Sequence, residues 1–182
     1  LDNATAIVEN SSFTGNEADY HGGALWNGVD AELTVRDSTL EMNLAGWDGG
    51  AAWNHGDLIG EGLIFEENEA AGSGGAVFSW TDAYTQFTNT WMHDNTAALG
   101  GALYNENGMV HFYESGLTDN TASGGGGALY NQGPLPGNGL LLKNVTVSGN
   151  AAPGGPGTTT GGRLNGAGGS GRRGAWFGGW VQ

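Results

Sequence analysis

The chain has 182 residues, with 19 acidic and 5 basic side chains, 37 glycines and no cysteine. So acidic a chain repels phosphates and anionic membranes, which excludes nucleic acid as a partner. The missing cysteines exclude a disulfide framework and thiolate metal sites, and no apolar run approaches the roughly 20 residues that would make a membrane-spanning segment.

The first predicted element is a strand in which Ala6 and Val8 alternate with Ile7 and Glu9. The phrase Phe13-Thr14-Gly15-Asn16-Glu17-Ala18 follows, and then Gly22-Gly23-Ala24-Leu25-Trp26-Asn27. The same three pieces return in order down the chain. The alternating pairs are Leu33 and Val35, Leu58 and Gly60, Thr85 and Phe87, Val110 and Phe112, and Leu140 and Leu142. The Asn of the second piece recurs as Asn43, Asn68, Asn95, Asn120 and Asn150, each followed two residues later by Ala. Three residues before these stand Leu40, Phe65, Met92, Leu117 and Val147. The Gly-Gly-Ala piece recurs from Gly49, Gly74, Gly100 and Gly126.

A fixed cycle of about 26 residues, with glycine and asparagine at fixed phases, is the mark of a solenoid. Period-two alternation makes its elements strands, each with one buried face. The expected fold is all-β, a right-handed parallel β-helix solenoid of about six coils of 25–27 residues, with three short strands and three corners per coil. Residues 1–152 form the β-helix repeats. Residues 153–182 are glycine-rich and carry Arg163, Arg172 and Arg173 without an acid, whereas all 19 acids lie before them. They are expected to be a disordered or loosely capping tail.

Stacked coils place equivalent residues above one another. The column Asn16, Asn43, Asn68, Asn95, Asn120 and Asn150 is expected to form a structural hydrogen-bonded ladder, because each amide carries both donor and acceptor. A second ladder is expected from Asn27, Asn54, Asn105 and Asn131, with Ser79 in the remaining place. The column just before it, Trp26, Trp53, Phe78, Tyr104 and Tyr130, alternates with the small aliphatics Leu25, Ala52, Val77, Leu103 and Leu129. Small aliphatics suit a narrow interior, so the rings are expected to line up outside as an exposed stripe. Such a stripe serves a glycan or a neighbouring chain, or else only the stacking of coils.

Catalytic signals are weak. The β-helix portion has only Arg36 and Lys143 as basic residues. A polysaccharide lyase needs a base and usually a cation. Glu66 and Glu67 are adjacent and face opposite ways along a strand. His21, His55, His93 and His111 fall in different columns, and His21 and His55 read as exposed. No cofactor is expected. Asp48, Asp94 and Asp119 at corners offer oxygen ligands for calcium, a weak signal without the EF-hand or nonapeptide pattern.

The paired phrases of residues 13–27, and the same arrangement from Phe112 to Asn131, resemble the polymorphic outer-membrane-protein (Pmp-type) repeat. The resemblance covers about residues 6–152. It implies an exported β-helix protein, extracellular or on the bacterial outer surface, of the autotransporter-passenger kind and in some members adhesive. The expected function is thus a non-enzymatic surface repeat segment, a piece of a larger protein. Its partner would be a protein or glycan on another cell surface, or a second copy associating laterally. The alternative is a carbohydrate-binding or carbohydrate-active, lyase-like β-helix.

Overall fold

The computed structural model describes residues 2–132 and 139–153. All regular elements among them are strands, and they stack in four parallel sheets. The first coil contributes one strand to each sheet: Thr5–Glu9, Ser12–Thr14, Glu17–Ala18 and Leu25–Asn27. Four more coils repeat that order. Leu140–Lys143 and Thr146–Ser148 then add a sixth strand to the first and second sheets. The result is a parallel β-solenoid of five complete turns and the start of a sixth.

Each turn has four strands, where the spacing alone predicts three. The extra one is the short step after the first asparagine. Glu17 pairs with Leu44, Leu44 with Glu69, and Glu69 with Thr96, a ladder of its own. In the first three turns this strand is two residues long, too few to show a period.

The core follows from the alternation. In the first sheet Leu33, Val35, Leu58, Phe87, Val110 and Phe112 point inward and are buried. The second sheet buries Leu40, Phe65, Met92 and Leu117, and the fourth buries Ala52, Val77, Leu103 and Leu129. The third supplies only Ala45, Ala70, Ala97 and Ala122. Apolar side chains from successive coils therefore make one continuous core along the axis. Burying each larger member fully is worth about 1.5–3 kcal/mol.

Corners are set by residues that accept a left-handed backbone. Gly22, Gly49, Gly74, Gly100 and Gly126 all sit at positive φ, between 63° and 68°. The glycine after each is needed for a different reason. A Cβ on Gly75 would stand 2.1 Å from the Gly101 carbonyl oxygen of the next coil. Only a bare backbone lets neighbouring coils approach so closely.

Of the expected tail, only Pro153 falls within the described residues; residues 154–182 lie outside them.

Candidate functional site

The first asparagine column is buried from Asn43 to Asn150, with Asn16 exposed at the first coil. Each side-chain Nδ2 donates to the Oδ1 of the next: Asn16 to Asn43 at 2.8 Å, then Asn43 to Asn68, Asn68 to Asn95, Asn95 to Asn120 and Asn120 to Asn150 at 2.9 Å. The same Oδ1 accepts the backbone N–H of the preceding asparagine, as Asn68 Oδ1 does from Asn43 at 3.0 Å. The second amide hydrogen goes to a backbone carbonyl one coil back, such as Leu40 for Asn68. Every buried amide here serves the stacking of coils, leaving none for chemistry.

The second column is interrupted. Asn27 donates to Asn54 at 2.8 Å and Asn105 to Asn131 at 2.6 Å. Between them Ser79 is too short to reach either neighbour. Thr85, which takes the place of Leu58 and Val110 in the first sheet, turns its hydroxyl to the gap. Its Oγ1 accepts from Asn54 Nδ2 at 2.9 Å and lies 3.0 Å from Ser79 Oγ.

The aromatic column corrects the expectation of an exposed stripe. Its rings do leave the interior, opposite to Val77, Leu103 and Leu129, and they do stack. Trp26 lies parallel to Trp53 with centroids 5.4 Å apart, and Phe78, Tyr104 and Tyr130 follow one another at 5.1 Å. Yet Trp53, Phe78 and Tyr104 are buried, in a small second core completed by Trp80, Leu99 and Tyr130. Trp26 keeps much of its surface and Tyr130 is half-buried. The cover comes from the flanking columns, which the Gly-Gly phrase does not announce. Trp80 tilts over both Trp53 and Phe78, at 6.0 and 5.6 Å.

These flanking columns are the part of the site that the repeat hides. On one side run His21, Asp48, Ser73 and Leu99, tied by backbone bonds from Gly22 to Asp48, Gly49 to Ser73 and Gly74 to Leu99. On the other run His55, Trp80, Glu106 and Gln132. His21 and His55, expected as unrelated exposed residues, are half-buried and approach Trp53 from its two sides, each at 5.7 Å. Outside the first flank stand Tyr20 and Trp47, edge to face at 5.6 Å. Counting five residues back and two forward from each aromatic of the column would have found both flanks.

The electrostatics of this face are acidic. Asp48 Oδ1 accepts the Ser73 N–H at 2.8 Å, and its Oδ2 lies 3.4 Å from His21 Nδ1. Burial, and then the charge of Asp48, push the Glu106 carboxyl above its ordinary range. Burial and then Glu106 likewise push the Tyr104 hydroxyl up, and that hydroxyl donates to Gln132 Oε1. Two buried polar atoms at the same place make no hydrogen bond, His21 Nδ1 and Trp53 Nε1.

The Chlamydia polymorphic membrane protein repeat family matches at residues 10–28, 62–79 and 117–132. Those three stretches of the chain are similar to this repeat. The three matches fall on the first, third and fifth turns, and the second and fourth turns pair with them in register. No curated protein and no solved structure matched. What this chain holds fixed from turn to turn is the ladder, the glycine corner and the ring column; the flanking residues vary.

Among the described residues no three His, Asp or Glu side chains gather to hold a metal ion. The calcium candidates are separate: Asp48 is held by Ser73, Asp94 lies 2.9 Å from His93, and Asp119 sits in the second-to-third-sheet corner below Gly149. No helix of the described chain is long and apolar enough to cross a membrane.

Proposed function

We propose that the chain is a non-enzymatic repeat segment of a larger extracellular or bacterial outer-surface protein, adhesin-like or autotransporter-passenger-like. The observation that supports this best is the repeat itself. Its fixed positions serve coil stacking, and its sequence matches a repeat of polymorphic membrane proteins. A solenoid of this kind offers long lateral faces whose residues vary freely, which suits contact with other surfaces. The partner is a protein or glycan on another cell, or a second copy lying alongside, and no cofactor is required.

The carbohydrate reading has one observation in its favour, the ring column flanked by His21, Asp48, His55 and Glu106. Binding fits it better than cleavage. A lyase needs a base and a charge-stabilising cation near the substrate. Arg36 and Lys143 both lie in a first-sheet column, and Arg36 is engaged by Glu9 at 3.0 Å and Glu61 at 3.6 Å.

An antibody against the segment tests the surface reading on intact cells of the bacterial source. Labelling before lysis, removed by external protease, is the expected result; labelling only after lysis overturns it. The purified segment is expected to release no product from acidic polysaccharides, with or without calcium. Release abolished by Asp48→Asn or Glu106→Gln would replace the non-enzyme reading by the lyase-like one.

A further inference from the structure

The third-to-fourth-sheet corner changes character along the axis. Backbone bonds tie Trp47 to Tyr20, Gly72 to Trp47 and Ala98 to Gly72, so these four residues form one column. Its first two members are large rings, 63 % and 57 % exposed. Its next two are Gly72 and Ala98. The adjoining column changes in the same way, from His21 and Asp48 to Ser73 and Leu99. Later turns close the same corner with small or aliphatic residues, so the fold does not require rings, an imidazole and a carboxylate here.

Two further observations point to a ligand. Trp53 is only 9 % exposed, and its indole Nε1 has no hydrogen-bond partner. His21 Nδ1 is likewise buried and without a hydrogen bond, 3.4 Å from Asp48 Oδ2. Buried polar atoms in native proteins are nearly always paired, so the bare Trp53 Nε1, beside a His21 Nδ1 with only the Asp48 carboxylate near it, calls for an explanation. His21 touches both rings at issue, lying 5.7 Å from Trp47 at 90° and 5.7 Å from Trp53. The His21 ring therefore lies between the exposed Trp47 and the buried Trp53.

From this we infer that Tyr20, His21, Trp47, Asp48 and Trp53 form a subsite for a neutral saccharide. Exposed rings offer flat apolar faces at low entropic cost, which suit the C–H face of a pyranose. Asp48 supplies a carboxylate acceptor for sugar hydroxyls. His21, whose Nδ1 lies 3.4 Å from Asp48 Oδ2, offers a ring nitrogen to the same hydroxyls. A few convergent polar groups beside aromatic walls are what orient a small ligand. Charge selects among sugars: Asp48, with Glu106 close enough to feel it, repels uronates and other anionic glycans. The occupant is thus a neutral pyranose unit of a longer glycan. This inference rests on the surface-binding reading above, but sugar binding by the purified chain is measured apart from where the protein is displayed.

The test is a titration of the full chain, followed by tryptophan fluorescence and calorimetry. The probes are cellohexaose, mannohexaose, the hexamer of N-acetylglucosamine and, as the anionic control, hexagalacturonate. At least one neutral hexamer is expected to bind and the galacturonate is not. Trp47→Ala, which gives the corner a small residue as later turns have, should weaken binding by about tenfold without changing the melting temperature. Asp48→Ser, which copies the third turn, should weaken it too. Trp91→Ala, removing an exposed ring of the second sheet, should leave it unchanged. No response to any neutral hexamer overturns the proposal. So does preference for the galacturonate, or binding that survives Trp47→Ala. If beads coated with the chain capture only a protein ligand, and that capture is insensitive to the neutral hexamers, the subsite is refuted while the surface reading stands.

Discussion

Asn68 shows how much one side chain can carry in a stacked fold. Its Oδ1 accepts both the backbone and side-chain N–H of Asn43, and its Nδ2 donates to Leu40 O and Asn95 Oδ1. Truncation strands polar partners above and below at once, and none is within reach of water. Leaving a buried group unsatisfied costs about 1–3 kcal/mol. Asn68→Ala is therefore expected to destabilise the chain by at least that amount in urea unfolding. An unchanged midpoint would remove the ladder as a source of stability. The residue scale also shows compensation between columns. Ser79 breaks the second ladder, and Thr85 repairs it from another sheet. Gly60 stands where its column has Val35 and Phe87, and a Cβ there would meet the Phe87 ring at 2.5 Å. The missing side chain gives room to Phe87, which packs edge to face on Phe65.

At the scale of the element, the tight corner is the weak point for substitution. Gly75→Ala places its Cβ 2.1 Å from the Gly101 oxygen and 2.7 Å from Thr96 backbone atoms, so two coils must separate. Overpacking a rigid backbone contact costs about 1–3 kcal/mol, and occasionally more. Gly15→Ala meets no atom within 4 Å and bears only the strain of its φ of 65°, about 1–2 kcal/mol. Thermal melts of the two variants are expected to rank Gly75→Ala well below Gly15→Ala. The reverse order would mean that backbone conformation, and not coil spacing, governs these corners. Elements also explain what was legible beforehand. Strand alternation and the glycine phrase made the coil, its core columns and the position of Asn68 readable, because stacking turns every fixed phase into a line of contacts. The two-residue strands of the third sheet were not readable, since no period fits into them. The burial of Trp53 and Phe78 was not readable either. It depends on Trp80, His55 and Leu99, whose columns change identity from turn to turn and so look like noise in a repeat.

For the molecule as a whole, charge is the term least balanced by the fold. Stacking in register sets Glu32 beside Asp57 and Glu41 beside Glu66, one coil spacing apart. Arg36 offsets one such column by lying between Glu9 and Glu61, but the chain has only 5 basic side chains against 19 acidic ones. Repulsion between exposed carboxylates is screened by salt, since the Debye length falls from about 30 Å at 10 mM to about 3 Å at 1 M. The melting temperature is therefore expected to rise between those two NaCl concentrations. Glu106 gives the same repulsion a pH signature. Burial and the Asp48 charge raise its pKa in the folded chain. Over the window above the unfolded value, the folded state holds a proton that the unfolded state has released. Its contribution to stability is thus present at low pH and is lost as pH rises through the raised value. Glu106→Gln keeps the shape of the protonated acid and cannot lose that proton. Melts of wild type and variant between about pH 4 and pH 7 should show the smaller decline in the variant. The gap between the two curves should narrow in 1 M NaCl, because the part due to Asp48 is screened while the part due to burial remains. Parallel curves at both salt concentrations would mean that Glu106 is solvated in the folded chain, and that the Asp48 side of the ring column is less acidic toward a ligand than its carboxylates imply.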